Sequence, residues 1–239
     1  MKESIVRVLN DADTHNIEVS FTVLGQMADL PDQIDALYGA LNEALKPLMN
    51  TEAAQCAGLL YASARTHLAT GAIALYRLHA SQMSRETRSA VEAAGIARLI
   101  QSDKESFEIF LADWDDEQAR RAAKNRFTSA RLFPKTEADM APLGEFYAAN
   151  SDLSHTNRFT LFEHVSLEED SGNARFSTQD IKHDPGELKK RLSWMCMAHL
   201  GVIVAAQGTF KTADFSKIIP EGRYLWGRVQ RLAESVAAA

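Results

Sequence analysis

The sequence has few of the residues and motifs that indicate a particular chemistry. It contains 2 cysteines, 6 prolines and 12 glycines in 239 residues. Cys56 and Cys196 fall in apolar helical stretches without a metal-binding spacing, which favours buried free thiols over a disulfide framework or a zinc site. The glycines form no phosphate-cradling loop, and the motifs Gly-x-Ser-x-Gly and His-Glu-x-x-His do not occur. Nucleotide-dependent, esterase and zinc-protease classes are therefore disfavoured, and we expect no cofactor and no metal.

Charge and hydropathy limit the partners of the protein. The net charge of −6 argues against a surface devoted to nucleic acid. The longest nearly uninterrupted apolar run, residues 195–206, contains His199 and is too short to span a bilayer. No charged-then-apolar signal peptide opens the chain. We therefore expect a cytoplasmic protein without a membrane partner, in which the 46% of hydrophobic residues form the core of one domain over residues 1–239.

Start and stop signals for helices recur along the chain. Pro31 opens a helix that Lys46-Pro47 ends, because proline disfavours the helical conformation of the residue before it. Thr51 is a suitable N-cap for a long helix to about residue 80, and a third helix covers about residues 84–101. Further helix starts are predicted at the capping box Ser102–Glu105, near Asp115, at Thr136, at Asp184-Pro185-Gly186-Glu187 and after Pro220.

Two stretches show the alternation of a strand instead. Residues 17–23 alternate apolar with polar side chains, which predicts a half-buried strand. Residues 159–167 alternate in the same way, and the turn residues 169–173 separate them from residues 175–179. The predicted fold is therefore mainly α, an antiparallel helical bundle with a small β-hairpin insertion at about residues 159–179.

An arginine and a glutamate stand at an unusual place on the third helix. The bulky residues Val91, Ile96, Leu99 and Ile100 define one side of this helix, and Ala90, Ala94 and Ala97 define the other. Arg88 and Glu92 project into the middle of the bulky side, four residues apart, where they can pair with each other. Charged groups on an apolar face are usually paired and often mark a site.

A second polar stripe lies further along the chain. Tyr147, Ser151 and His155 follow one another at the same spacing of four residues and can supply hydrogen bonds to Arg88 and Glu92. One interpretation is a buried polar network that sets the register of the helices. Another is a site in which His155 gives or takes a proton while Glu92 and Arg88 hold it. A third alternative is that the two stripes never meet.

The segments Arg88-Ser89-Ala90-Val91-Glu92 and Tyr147-Ala-Ala-Asn-Ser151-Asp-Leu-Ser-His155 resemble the bacterial HEPN-like all-helical proteins, over about residues 59–155. That resemblance implies an arginine–glutamate helix and a later tyrosine–serine–histidine helix. Some members of the wider group are ribonucleases, with an arginine followed by a histidine four to six residues later on one helix. This chain has no arginine at that spacing before His155, because the nearest upstream one is Arg131.

Two other sets of residues have competing interpretations. His67, His155 and His199 could form a three-histidine metal site, but without close ligand spacings we favour core histidines. The basic segment 120–135 could bind RNA or another polyanion. The acidic residues directly before it favour a helix whose charges complement its own dipole.

These observations favour a binding protein over an enzyme. We expect a non-catalytic HEPN-like binding or interaction module with a polar pocket around Arg88, Glu92 and His155. The alternative is a metal-independent ribonuclease that uses His155 as general acid/base and Arg88 to stabilise the phosphoryl charge. Apolar residues of the last helix make a homodimer a candidate state, with a monomer as the alternative: Tyr224, Leu225, Trp226, Val229 and Leu232.

Overall fold

The computed structural model describes residues 5–112, 116–154, 165–167, 174–176 and 184–237. Helices make up most of this part of the chain, which confirms the mainly α class. The helices are α1 (Ile5–Leu24), α2 (Leu30–Leu45), α3 (Glu52–Tyr76), α4 (Ala80–Ser102), α5 (Lys104–Leu111), α6 (Glu117–Arg126), α7 (Ser129–Leu132), α8 (Ala141–Ser154), α9 (Pro185–Thr209) and α10 (Ile218–Ala237). Short 3-10 turns at Gly25–Asp29 and Lys46–Leu48 flank α2.

The helices α3 and α4 form an antiparallel hairpin at the centre of the bundle. Three residues join them, and His67 near the end of α3 pairs with Glu86 near the start of α4, with 2.7 Å between Nδ1 and Oε2. The connection passes through Leu78, whose φ of 63° lies in the left-handed region. That conformation costs a leucine about 1–2 kcal/mol, and the burial of its side chain offsets the cost. The helices α2, α8 and α9 pack against this hairpin.

The core-facing part of α4 includes the alanines that were predicted to lie opposite its bulky residues. Ala90, Ala94 and Ala97 are fully buried. Of the four bulky residues, Val91 and Ile100 are also fully buried, whereas Ile96 and Leu99 are only partly buried. The bulky side was therefore predicted correctly in half of its residues, and the alanines belong to the core as well. Small side chains let neighbouring helices approach closely.

The strand predicted at residues 17–23 is wrong, because these residues belong to α1. Asn16 and Ser20 lie four residues apart on the buried side of this helix. The Asn16 amide donates to the carbonyl of Arg77 at 3.2 Å, and the Ser20 hydroxyl donates to the carbonyl of Tyr76 at 2.9 Å. These bonds satisfy carbonyl oxygens at the end of α3 that its own helix leaves free. The polar residues that suggested alternation are therefore contacts of a helix.

The predicted β-hairpin insertion falls mostly outside the described residues. Within them, Val165–Leu167 (β1) and Ala174–Phe176 (β2) pair antiparallel, with Val165 opposite Phe176. The rest of residues 159–179 is not among the described residues, and the insertion as a whole stays a prediction.

The predicted helix starts can be checked at their caps. The Thr51 hydroxyl accepts the backbone N–H of Ala54 at 3.2 Å, and Asp184 accepts that of Gly186 at 2.8 Å, so both caps are confirmed. The capping box at Ser102 is wrong by one residue. Because α4 continues through Ser102, the first extended residue is Asp103, whose carboxylate caps α5 by accepting from Ser106. The helix predicted from Asp115 is divided into α6 and α7, and the one predicted from Thr136 begins at Ala141.

The last two helices bury most of their apolar residues inside the bundle. By length and composition alone α9 could cross a membrane, with a mean hydropathy of 1.2 over 18 residues, but 61% of that window is buried, as in the core helix of a bundle. Leu225, Val229 and Leu232 of α10 are also buried, and of the residues predicted for a dimer face Tyr224 is the one clearly exposed. These residues therefore give the homodimer little support.

Replacing Ala94 by leucine tests whether the alanine side of α4 is the core side. Ala94 is fully buried, so the larger side chain must displace its neighbours. We expect Ala94→Leu to lower the free energy of unfolding, measured by urea denaturation, by about 1–3 kcal/mol. The matched control is Gln82→Leu at an exposed position of the same helix, with an expected change within about 0.5 kcal/mol. Equal stability of the two variants would contradict the assignment.

Candidate functional site

Arg88 and Tyr147 lie together where α4 and α8 pack. Nη2 of Arg88 donates to the hydroxyl oxygen of Tyr147 at 2.9 Å, and its Cζ lies 4.8 Å from the centroid of the tyrosine ring. The ring of Phe133 packs on the far side of this tyrosine, with 5.2 Å between the centroids. The guanidinium is therefore fixed both by a hydrogen bond and by a cation–π contact. The structure thus joins one residue of each predicted stripe.

Glu92 does not take part in this contact. Within the described residues, Arg88 and Glu92 form no ion pair, and no other hydrogen bond or ion pair of Glu92 is found there. The predicted pair is therefore a misassignment. Its physical reason is that the Arg88 side chain is committed to Tyr147 on α8, whereas Glu92 lies one turn further along α4.

Of the other two residues in the second stripe, the structure describes Ser151 but not His155. The hydroxyl of Ser151 donates to the carbonyl oxygen of Tyr147 at 2.7 Å, one turn earlier on α8. His155 lies outside the described residues, directly after the end of α8. The proposed grouping of Arg88, Glu92 and His155 is therefore reduced to Arg88, with His155 untested.

Three polar residues near Arg88 went unnoticed in the sequence. Asn150 is fully buried, and its amide donates to the carbonyl of Phe146 at 2.7 Å. The ring of Trp194 on α9 packs edge-on against Phe146, with 4.6 Å between the centroids. Ser84 lies one turn before Arg88 on α4. In the described part of the chain, four buried polar atoms of this region lack a hydrogen-bond partner: Ser84 Oγ, Arg88 Nε, Asn150 Oδ1 and Trp194 Nε1.

The sequence carried a weak signal for these residues. Ser84 and Arg88 share the spacing of four residues, and Asn150 stands inside the Tyr147–Ser151 segment. Trp194 belongs to the otherwise apolar α9, where a tryptophan is normally taken as core. A buried polar atom without a partner costs free energy. Three of the four atoms carry an N–H or O–H group, so the region offers more donors than acceptors.

Arg88 differs from the other partly buried arginines. In the described ranges, each of the others has a carboxylate within ion-pair distance: Arg65 with Asp35, Arg98 with Glu137, Arg126 with Asp103, Arg191 with Glu187 and Arg228 with Asp29. Arg88 has a neutral tyrosine instead. Its positive charge is therefore left uncompensated by the described residues, in a place where solvent screens it only in part.

The basic segment 120–135 serves the local structure. Asp116 caps α6, Arg121 pairs with Glu117 on the same helix at 2.5 Å, and Arg126 forms ion pairs with Asp103 and Glu105. Arg126 thereby links the end of α6 to the start of α5. This arrangement favours the helix-dipole interpretation over a surface for RNA.

The histidines His67 and His199 are held by other protein groups. The hydroxyl of Tyr38 lies 3.0 Å from Nδ1 of the fully buried His199, and His67 pairs with Glu86. Burial, reinforced by nearby His67, lowers the pKa of His199 from 6.5 to about 3. Among the described residues no group of three histidine, cysteine, aspartate or glutamate side chains is placed to hold a metal ion. His155, the third histidine considered, lies outside them.

The buried His199 should make stability depend on pH. In the unfolded chain this imidazole takes up a proton near its ordinary pKa of 6.5, but in the folded chain only near 3. Between these values unfolding binds a proton, so stability falls as the pH falls. We expect the free energy of unfolding of the wild type to decrease between pH 6 and pH 4 more steeply than that of His199→Leu, by up to about 1.4 kcal/mol per pH unit.

The control for this experiment is Tyr38→Phe. This variant leaves His199 without its hydroxyl partner and should lower the free energy of unfolding by about 1–3 kcal/mol, while it keeps the pH dependence of the wild type. Urea denaturation at several pH values measures both effects. Parallel pH profiles for the wild type and His199→Leu would show that His199 titrates normally in the folded protein.

No protein-family model, curated protein or solved structure matches this chain significantly. The resemblance to HEPN-like proteins therefore rests on its short motifs alone and stays a prediction, together with the homodimer and the cytoplasmic location.

Proposed function

We propose that the protein is a non-catalytic binding module, and that Arg88 recognises an oxyanion group, phosphate or carboxylate, on its ligand. The observation that carries this proposal is the missing counter-ion. Arg88 is the partly buried arginine that has no carboxylate partner among the described residues. Because an uncompensated charge is costly to bury, a ligand that supplies the negative charge explains why an arginine is placed there.

The surroundings of Arg88 suit this role. The ring and hydroxyl of Tyr147 hold the guanidinium in one orientation, so little side-chain freedom is lost when a ligand binds. A guanidinium presents its N–H groups as a planar fork that matches the two oxygens of a carboxylate or phosphate. Ser84, one turn before Arg88 on α4, adds a hydroxyl that is buried without a partner in the described part of the chain.

The described groups favour binding over catalysis. The side chains of Tyr147, Asn150 and Ser84 offer hydrogen-bond donors and acceptors that orient a ligand, and the described contacts do not place a carboxylate or a histidine beside Arg88 as general acid or base. A HEPN-like module without the ribonuclease motif is consistent with this. The ribonuclease alternative needs His155 beside Arg88, and no described contact places it there. It is therefore an outcome of the test below.

The test compares Arg88→Gln with Arg85→Gln. Arg85 is exposed on the same helix, three residues earlier, so both variants remove one positive charge from α4. We expect inorganic phosphate or a dicarboxylate such as succinate to bind the wild type and Arg85→Gln, measured by calorimetry at fixed ionic strength. Binding to Arg88→Gln should be at least about tenfold weaker, which corresponds to 1.4 kcal/mol.

Stability distinguishes a binding role from a structural one. Since Arg88 carries an uncompensated charge, Arg88→Gln should leave the melting temperature unchanged or raise it. A large drop in melting temperature together with unchanged anion binding would contradict the proposal. Incubation of each variant with a short single-stranded RNA is the second arm. Cleavage that is lost in both Arg88→Gln and His155→Ala would favour the ribonuclease alternative instead.

A further inference from the structure

A cavity lies at the end of α4 that is remote from Arg88. It is a cavity of about 680 Å³ between the C-terminal ends of α4 and α9, the residues that precede α8 and the segment that follows α9. Cavities of this size commonly take small molecules. Charged and polar side chains make up much of its wall, including Arg98, Gln101, Glu137, Asp139, Thr209 and Lys211.

One ion pair in the wall is already satisfied. Nη1 of Arg98 lies 2.8 Å and 3.1 Å from the two carboxylate oxygens of Glu137, and its Nη2 donates to the carbonyl of Arg131 at 2.6 Å. The charges of Arg98 and Glu137 therefore cancel, and their side chains are fixed. Together they form part of the cavity wall and add no net charge to it.

Asp139 is the unsatisfied group in this wall. Most partly buried carboxylates of the described chain have a cationic or histidine partner, as Asp13, Asp35, Glu86, Asp103, Glu137 and Glu187 do. Asp139 is also partly buried, but within the same ranges it has no ion pair and no side-chain hydrogen bond. Its carboxylate therefore lines the cavity without a cation at ion-pair distance among the described residues.

The chain makes room for this carboxylate at Gly208. A Cβ atom at position 208 would collide with Oδ2 of Asp139. Gly208 belongs to the last turn of α9, although glycine inside a helix costs roughly 0.5–1 kcal/mol relative to alanine. The C-terminal end of a helix carries partial negative charge. A carboxylate at this end is thus in an unfavourable field that a cation would relieve.

Two further polar atoms of the wall are buried without a hydrogen-bond partner in the described part of the chain: the acceptor Oε1 of Gln101 and the donor Nε of Arg98. The hydroxyls of Tyr61 and Thr209 lie 3.0 Å apart and bond to each other. Burial raises the pKa of Tyr61 well above its ordinary value, and the Asp139 carboxylate adds to this rise, so the tyrosine stays neutral. Lys211 also lines the cavity, is exposed, and carries a positive charge, whereas Asp139 carries a negative one.

We propose that this cavity binds a small organic molecule through a protonated amine, which Asp139 holds with Gln101 as a neighbouring acceptor. The amine belongs either to a simple amine or to an amino acid. In an amino acid, the carboxylate would meet Lys211. This site is separate from Arg88 and recognises the opposite charge, so it is independent of the function proposed above.

The experiment titrates the full-length protein with three sets of probes at constant ionic strength. The first set is the twenty amino acids, the second is simple amines such as putrescine and tyramine, and the third is carboxylic acids that lack the amine, such as propionate. Thermal shift identifies binders and calorimetry measures their affinity. Because a carboxylate alone can bind at Arg88, the amine site is identified by its dependence on Asp139. We expect at least one amine-bearing probe to show binding that Asp139→Asn weakens, and its amine-free analogue to show no such Asp139-dependent binding.

Two variants of the site and two controls locate the binding. Asp139→Asn keeps the shape of the side chain and should weaken amine binding at least tenfold. Gly208→Ala should also abolish binding because it displaces the Asp139 carboxylate, while the melting temperature does not fall, since alanine favours the helix. Glu145→Gln, at an exposed position of α8, and Arg85→Gln, at an exposed position of α4, should bind as the wild type does.

The source of the amine follows from Lys211→Met. If Lys211→Met weakens the binding of amino acids but not that of simple amines, the ligand is an amino acid. If Lys211→Met changes the binding of neither, the ligand is a simple amine. The proposal is overturned if no amine-bearing probe binds the wild type, if Asp139→Asn binds with wild-type affinity, or if potassium chloride or the amine-free acids produce the same stabilisation and Asp139→Asn removes it equally.

Discussion

The close packing of α3 against α4 is the constraint on which the remaining architecture depends. Gly71 of α3 lies against Glu86 of α4 in this contact, and the helices α2, α8 and α9 pack around the hairpin that it creates. The same packing fixes the direction in which α4 presents its polar side chains. Arg88 and Arg98 are ten residues apart on this helix, about 15 Å along its axis. The helix α4 thus presents two arginines. Arg88 faces α8 without a carboxylate partner among the described residues, and Arg98 pairs with Glu137 in the wall of the cavity that Asp139 also lines.

Much of the helical framework could be predicted because its signals are local. Thr51 and Asp184 cap helices through their own side chains, and Pro31 sits at the start of α2. The face of α4 and the nature of α1 could not be predicted in the same way. Hydrophobic periodicity identifies a buried face by its large side chains, whereas α4 buries its alanines together with Met83, Val91 and Ile100. In α1 the polar residues Asn16 and Ser20 are inside the protein, because they bond to the end of α3.

The candidate site, like the fold, could be predicted from the sequence only in part. The spacing within each stripe was sufficient to suggest Arg88 and Tyr147 as neighbours in space. It was insufficient for Glu92, since side-chain direction depends on which partner is nearer. The cavity at Asp139 left no signal in the sequence, because its wall combines residues from distant segments. A glycine at position 208 and an aspartate at position 139 become related only when the fold brings them together.

The left-handed backbone of Leu78 has a consequence for the order in which the chain folds. It turns the chain between two helices that are adjacent in sequence, so their contact closes only a short loop and can form quickly. The α3–α4 hairpin also leaves the ribosome well before α9 has been synthesised. We therefore expect the hairpin to form first and to act as the template on which α8, α9 and α10 later assemble.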